Sequence, residues 1–333
     1  MDTQLLFVIL IIVTALLFDF TNGAHDAANS VATIVSTKVL SLGQALVFAA
    51  FFNFIAFVVF GNEVAKTVGS GLVDVNRVTP EVIFAGLLGA IVWNLLTLYL
   101  ALPTSSSHAL IGGYAGAAVA RVGFGVIITA GWIKTVIFIF IAPLLGFALS
   151  YVFLILISWV IYLMKFKPGS VTSWSRHAQL ISAGLYSLGH GSNDAQKTIG
   201  IITGLLFSVG YIKTFSIPFW VVMAAHTAMA LGTLYGGKRI IKTMGQKIFK
   251  LRPLDGVCAE TASAISIFLA TSMGVPVSTT HVITGAISGV GAAQRFASVK
   301  WGVALRIIWA WFFTIPAAAI IAFVLFSVGS RLF

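Results

Sequence analysis

Apolar runs fill positions 3–21, 42–61, 80–101, 131–164, 178–189, 199–212, 215–235, 254–273 and 299–328. Most approach the roughly 20 residues needed to cross a bilayer core, and the intervals between them leave no room for a separate soluble domain. Only 9% of the 333 residues are charged and 59% are hydrophobic, against about 25% and 45–50% in soluble domains. That excludes a water-soluble enzyme, a nucleic-acid-binding domain and a disordered chain. The expected fold class is an all-α polytopic membrane protein. Met1–Leu17 has no basic start and runs at once into Asp19, Asn22, His25 and Asp26, so it reads as a retained first helix rather than a signal peptide. The run at 131–164 is too long for one straight span and holds Pro143, so it should tilt, kink or divide. The single cysteine, Cys258, rules out a disulfide framework and reads as packing.

Between these runs lie polar, small-residue stretches at 22–37, 103–120, 189–198 and 276–293. At bilayer depth, irregular backbone is tolerated only inside protein or along a wet cavity. Broken helices or re-entrant segments are therefore expected near the midplane. These stretches also repeat. Asn22-Gly23-Ala24-His25-Asp26-Ala27-Ala28-Asn29 returns 168 residues later as His190-Gly191-Ser192-Asn193-Asp194-Ala195-Gln196-Lys197. Pro103-Thr104-Ser105-Ser106-Ser107-His108 returns 173 residues later as Pro276-Val277-Ser278-Thr279-Thr280-His281. Residues 1–164 and 177–333 thus read as two copies of one design, joined by a loop at 165–176.

Charge sets the expected orientation. Lys165, Lys167 and Arg176 lie in the central loop, and Lys238, Arg239, Lys242, Lys247, Lys250 and Arg252 in the next long one. Cytoplasmic loops collect Lys and Arg, which accounts for the net charge of +11 without nucleic acid. The matching first-half loop, 62–79, balances Glu63 and Asp74 against Lys66 and Arg77. Equivalent loops then face opposite sides, so the repeats are inverted. About five membrane segments per repeat follow, with both termini outside. Inverted repeats with broken helices at the midplane are a common layout of secondary transporters.

Asp2, Glu63, Asp74, Glu81 and Asp255 sit at ends or loops and read as solvated or interfacial. Asp19, Asp26, Asp194 and Glu260 fall within membrane segments, where an ionisable side chain is costly and marks function by default. The repeat singles out Asp26 and Asp194. Asp19 and Glu260 suit a bridging role between helices equally well. The two hydroxyl runs offer Thr104, Ser105, Ser106 and Ser107 in one copy and Ser278, Thr279 and Thr280 in the other. A proline ahead of such a run starts a helix well, and a helix N-terminus is an anion site. Ionised aspartates cannot donate, but they accept a hydrogen carried by a ligand. An oxyanion that keeps a hydrogen at neutral pH, as hydrogen phosphate does and sulfate does not, suits such a site. The aspartates could also hold a coupling cation. Residue types alone therefore point to a protonated oxyanion moved together with a cation.

Lys197 replaces the first repeat's Asn29 and could attract the anion, neutralise Asp194 or stand in for a bound cation. His108 and His281 close the hydroxyl runs and are expected to orient them by hydrogen bonding. His25, beside Asp26, could carry a proton, with His190 flanking the second acidic motif. His177 reads as interfacial and His226 as a satisfied core histidine. Two other readings compete. His25, Asp26, His190 and Asp194 could serve a divalent-metal carrier, which leaves the hydroxyl runs unexplained. An intramembrane hydrolase would need one nucleophile bonded to one base, which duplicated groups suit poorly.

These four motifs, in order and across essentially the whole chain, resemble the inorganic phosphate transporter (Pit) family, and within it the bacterial low-affinity PitA-like branch. The resemblance implies phosphate uptake driven by a cation gradient, no enzymatic activity, no cofactor, and a site between the repeats. It also implies a bacterial inner-membrane location and a homodimer working by an elevator-like or rocking motion. The family's substrate and cation groups carry over to Asp26, Asn29, Asn193, Asp194, Thr104 to Ser107 and Ser278 to Thr280. His25 and Lys197 each stand where sodium-coupled members have Asn. Both changes look like the PitA-like branch, which is similar in using protons and accepting divalent metal carried with phosphate. They remove two amide oxygens that a sodium ion would use, so the expected coupling ion is H+ ahead of Na+.

Overall fold

The computed structural model describes residues 3–332 other than 238, 239, 242 and 245–247. Asp2, Lys238, Arg239, Lys242 and Lys247, used above for location and orientation, lie outside the described residues. The first half comprises α1 (Thr3–Ser36), α2 (Leu42–Ile55), the short α3 (Glu63–Lys66), α4 (Pro80–Tyr99), α5 (Ser106–Val122) and α6 (Thr129–Leu163). The second comprises α7 (Pro168–Ser208), α8 (Phe219–Tyr235), α9 (Pro253–Ser272), α10 (Thr279–Gln294) and α11 (Trp301–Leu332). Among the described residues no strand forms beyond one isolated bridge between Val73 and Ile127.

Five of these helices (α1, α4, α6, α9 and α11) are long and apolar enough to cross a membrane. A sixth span arises if α2 and the segment from Glu63 to Gly71, bent by 80° against each other, are taken together. α6 does not divide: it is one 35-residue helix with Pro143 inside it. The expected loop at 165–176 is largely helical, because Pro168 takes the first helical position of α7, where no N–H is required.

The acidic motifs do not interrupt their helices. Residues 22–29 lie inside the 34-residue α1, and 190–197 inside the 41-residue α7, which joins the runs at 178–189 and 199–212. Both motifs lack proline, and a continuous helix satisfies their backbone groups internally, as bilayer depth demands. The hydroxyl motifs do break the chain. Pro103 and Pro276 cannot donate, and they bias the preceding residue away from helix. α4 therefore turns back into α5, and α9 into α10, through tips at 100–105 and 273–278.

The halves clasp each other. α11 packs along α5 and α4, while its counterpart α6 packs along α10 and α9. Glycine makes these contacts possible at matching places. A Cβ added to Gly112 would stand 2.5 Å from the Ile315 carbonyl oxygen, and one on Gly285 would stand 2.2 Å from that of Pro143. α1 packs on α8 and α7, and α2 packs on both of those helices as well. One buried apolar cluster includes Ile11, Leu87, Leu110 and Ile202, and another includes Val31, Ile267, Ile283 and Ile287. Each draws on both halves. Cys258 belongs to the second cluster, as a free buried thiol. Asp255 is fully buried rather than solvated: at the start of α9 it accepts from the Arg252 backbone N–H at 2.8 Å and from Gln294 at 2.5 Å.

Candidate functional site

The two hydroxyl tips meet. Ser105 and Ser278 are the N-caps of α5 and α10, accepting from the backbone N–H of His108 (3.1 Å) and His281 (3.3 Å). The helices thus start after these serines, not at the prolines. The rings of His108 and His281 lie 4.7 Å apart, edge to face, so the first turns of α5 and α10 confront each other. Each N-terminus carries about half a positive charge and amides without intrahelical acceptors. His281 also stacks on Trp311 at 3.7 Å, and the Trp311 indole donates to the Pro103 carbonyl at 3.1 Å. His108 and His281 therefore hold the tips by ring packing. Their ring nitrogens make no hydrogen bond to either hydroxyl run, contrary to the expectation from sequence.

The acidic motifs of α1 and α7 face these tips. In each, the residue before the aspartate anchors its own half's tip. His25 Nε2 lies 3.2 Å from Thr97 Oγ1 and 3.4 Å from Thr104 Oγ1. Asn193 donates to Thr271 Oγ1 (2.9 Å) and the Val275 carbonyl (3.2 Å), and accepts from the Val277 N–H (3.2 Å). Its amide is spent on that loop. Asn193, expected among the ligand and cation groups, is a positioning residue in this arrangement.

Three residues past each aspartate, the contact crosses to the other half. Asn29 donates to Thr280 Oγ1 at 2.8 Å and approaches Thr279 at 3.4 Å. Lys197 donates to Ser107, to the Val277 carbonyl at 3.0 Å, and to Asp194 at 2.5 Å. Ser107 and Thr280 are repeat partners, so one exchange occurs twice. Thr280 also reaches Asp26 at 3.5 Å, and Thr279 reaches Asp194 at 3.4 Å. His25 Nδ1 bonds Asp26 at 2.8 Å, and His190 Nδ1 lies 3.2 Å from both Asp194 and Thr279. The Ser106 hydroxyl is buried without a partner. Thr104, Ser105, Ser106, Ser107, Ser278, Thr279 and Thr280 are all at most 5% exposed, as are Asp26, Asn29, Asp194 and Lys197. The centre is buried.

This geometry bears on the competing chemistries. Among the described residues, no three His, Cys, Asp or Glu side chains gather as a metal site. The four groups of the metal-carrier reading stay on two helices as separate pairs. Ser105 and Ser278 cap helices rather than pair with a base, and His190 meets Thr279 and Asp194 through one nitrogen, whereas a nucleophilic triad uses both.

Other polar side chains find bland roles. His226 is a buried core histidine whose Nδ1 bonds the Val222 carbonyl at 3.0 Å but whose Nε2 has no partner, so it is only half satisfied, and the exposed His177 bonds the Ser173 carbonyl at 2.9 Å. Glu260 bridges helices: Thr33 and Ser182 donate to it at 2.5 Å and Gln179 at 3.0 Å. Sequence reasoning missed Thr97, Thr271 and Trp311. The two threonines had a faint signal, a hydroxyl five or six residues before each proline.

The comparisons agree with this architecture. The model of the phosphate transporter family matches residues 22–322. A Rhizobium meliloti (strain 1021) protein named "Probable low-affinity inorganic phosphate transporter" is 55% identical, over 97% of both chains. A Bacillus subtilis (strain 168) protein of the same name is 42% identical over the full length of both. A solved structure titled "The sodium-dependent phosphate transporter" superimposes with a TM-score of 0.89 at 25% identity, covering 98% of this chain and 100% of that one. An all-helical integral membrane protein with duplicated acidic and hydroxyl motifs, matched along its length by these relatives, belongs to the phosphate transporter family.

Proposed function

We propose that the chain is a secondary active importer of inorganic phosphate in the bacterial inner membrane, driven by a proton gradient. One observation carries the reading: two hydroxyl-bearing helix N-termini converge on two carboxylate-bearing helix midpoints in a buried centre. The amides and hydroxyls of Ser106, Ser107, Thr279 and Thr280 donate to phosphate oxygens. Lys197 supplies a fixed positive charge. Asp26 accepts a hydrogen that phosphate carries.

The centre is cross-linked by Asn29 to Thr280 and Lys197 to Ser107. Phosphate must exchange with both contacts, and each joins one half to the other half's tip. Binding therefore acts on the interface between halves, which is what alternating access around a central site requires. Coupling follows by reciprocal linkage: the coupling cation favours the anion, and the anion favours the cation. In this reading residues 1–164 and 177–333 are inverted repeats, with both termini outside.

A second reading keeps phosphate and replaces H+ by Na+, favoured by the sodium-dependent neighbour. Radiolabelled phosphate uptake into proteoliposomes, with pH and sodium gradients imposed separately, decides between them. Uptake driven by an inward proton gradient without sodium is the expected result. A sodium requirement would transfer the coupling to Na+, and no uptake under either gradient would sink the proposal.

A further inference from the structure

We propose that Asp19 is the carboxyl that takes up and releases the coupling proton, at a place separate from the phosphate centre. The inference rests on the proton-driven reading above. Asp19 lies on α1 two turns before Asp26 and is fully buried. Neither of its oxygens has a hydrogen-bond partner. Its nearest polar neighbours are Asn22, one turn on, and Thr198 of α7. The other buried acids among the described residues are all engaged: Asp26 by His25, Asp194 by Lys197, Asp255 by Arg252, and Glu260 by three donors.

Lys197 forms no ion pair with Asp19. Its ammonium has three N–H donors, and all three are used, by Asp194, Ser107 and the Val277 carbonyl. An ionised Asp19 would be an unpaired charge at bilayer depth, whereas a protonated one is neutral and has one hydrogen to give to Thr198. The hydrogen has an acceptor in reach, and the empty carboxylate has a hydroxyl and an amide to donate to it.

Its surroundings tie that proton to transport. The charges acting on Asp19 are those of Asp194 and Lys197 on α7. The neighbouring α2 holds no titratable group, and α4 holds none between Glu81 and Tyr99. His226 of α8 bonds its own helix, His108 of α5 packs on His281 of α10, and Glu260 of α9 is fully engaged. Phosphate that draws Lys197 away from Asp194 therefore changes the field at Asp19. The repeat underlines the asymmetry. The positions equivalent to Asp19 and Thr198 are Ser187 and Ser30, also buried and without partners. Both places between α1 and α7 are polar, and only one has an acid.

Asp19→Asn fixes the neutral form and separates two steps. In proteoliposomes without gradients, exchange of labelled phosphate needs no net proton movement and should stay within a few-fold of the unmodified protein. Accumulation driven by an inward proton gradient, and phosphate-dependent proton entry followed with a trapped pH dye, should fall by about tenfold or more. Asp19→Glu should restore both. Undiminished pH-driven accumulation by Asp19→Asn would overturn the assignment. So would loss of exchange together with accumulation, which would make Asp19 a binding or folding residue. Failure of the unmodified protein to exchange phosphate would instead overturn the phosphate reading, and sodium-driven uptake in it would overturn the proton.

Discussion

Asp26 and Asp194 occupy equivalent places in α1 and α7, yet one faces an imidazole and the other an amine. Asp26 is held by His25, with the neutral Asn29 one turn further on. Asp194 is held by Lys197, which stands at the position of Asn29. The second half thus carries a lysine beside its aspartate, while the first has only an imidazole and an amide there. The motif occurs twice, and differences at two positions, His25 against Asn193 and Asn29 against Lys197, make the two carboxylates unlike. In the proposed reading, coupling belongs to the first half, and anion attraction to the second.

Neutralising either acid tests this division most severely. Asp26→Asn removes the acceptor, and phosphate uptake should drop by about a hundredfold or more, because a site that loses a matched polar partner discriminates on that scale. Near-normal uptake would break the comparison. Asp194→Asn strands Lys197 as a buried unpaired charge, so it should also destabilise the protein by about 3–5 kcal/mol. The double variant Asp194→Asn with Lys197→Asn should recover most of that loss in a denaturation assay in detergent. Lys197→Asn alone makes the halves alike at that position but takes the lysine from Asp194. It should lower phosphate uptake by about tenfold and introduce a cation requirement, measured by titrating sodium into the uptake assay.

Smaller effects sharpen the contrast. Histidine changes charge between about pH 5 and 8, and asparagine does not. His25→Asn, which gives α1 the Asn-Asp sequence of α7, should flatten the pH profile of uptake while leaving most activity at its optimum. An unchanged profile would remove His25 from the coupling scheme. Ser105→Ala and Ser278→Ala each delete one N-cap and should cost about 1 kcal/mol of stability apiece. A marked inequality between them would show that the tips are not mechanically equivalent.

The duplicated motifs were legible because each is local and occurs twice: Asp26 and Asp194, Ser107 and Thr280 can be paired by counting. The kink-prone tips after Pro103 and Pro276 were legible for the same reason. What escaped was longer in range or depended on continuity. Polar residues in 22–29 and 190–197 read as interruptions, although a helix hides its backbone whatever its side chains are. Nothing near Asn193 announced that its amide would be consumed by the loop before α10. Trp311 meets Pro103 across 208 residues, a distance over which no spacing rule operates.

The exchange of α6 and α11 between halves sets a timetable for biogenesis. The glycine face of α5 is complete once residue 122 is made, but its partner begins only at residue 301. At about 5–20 residues per second, that gap lasts roughly 9–36 s. During this interval the first hairpin sits in the bilayer with Gly112 and Gly116 bare, and it closes only when the last helix arrives. The final thirty residues are thus the latch of the first half, and a ribosome that stops short of them releases an unfinished protein at both ends.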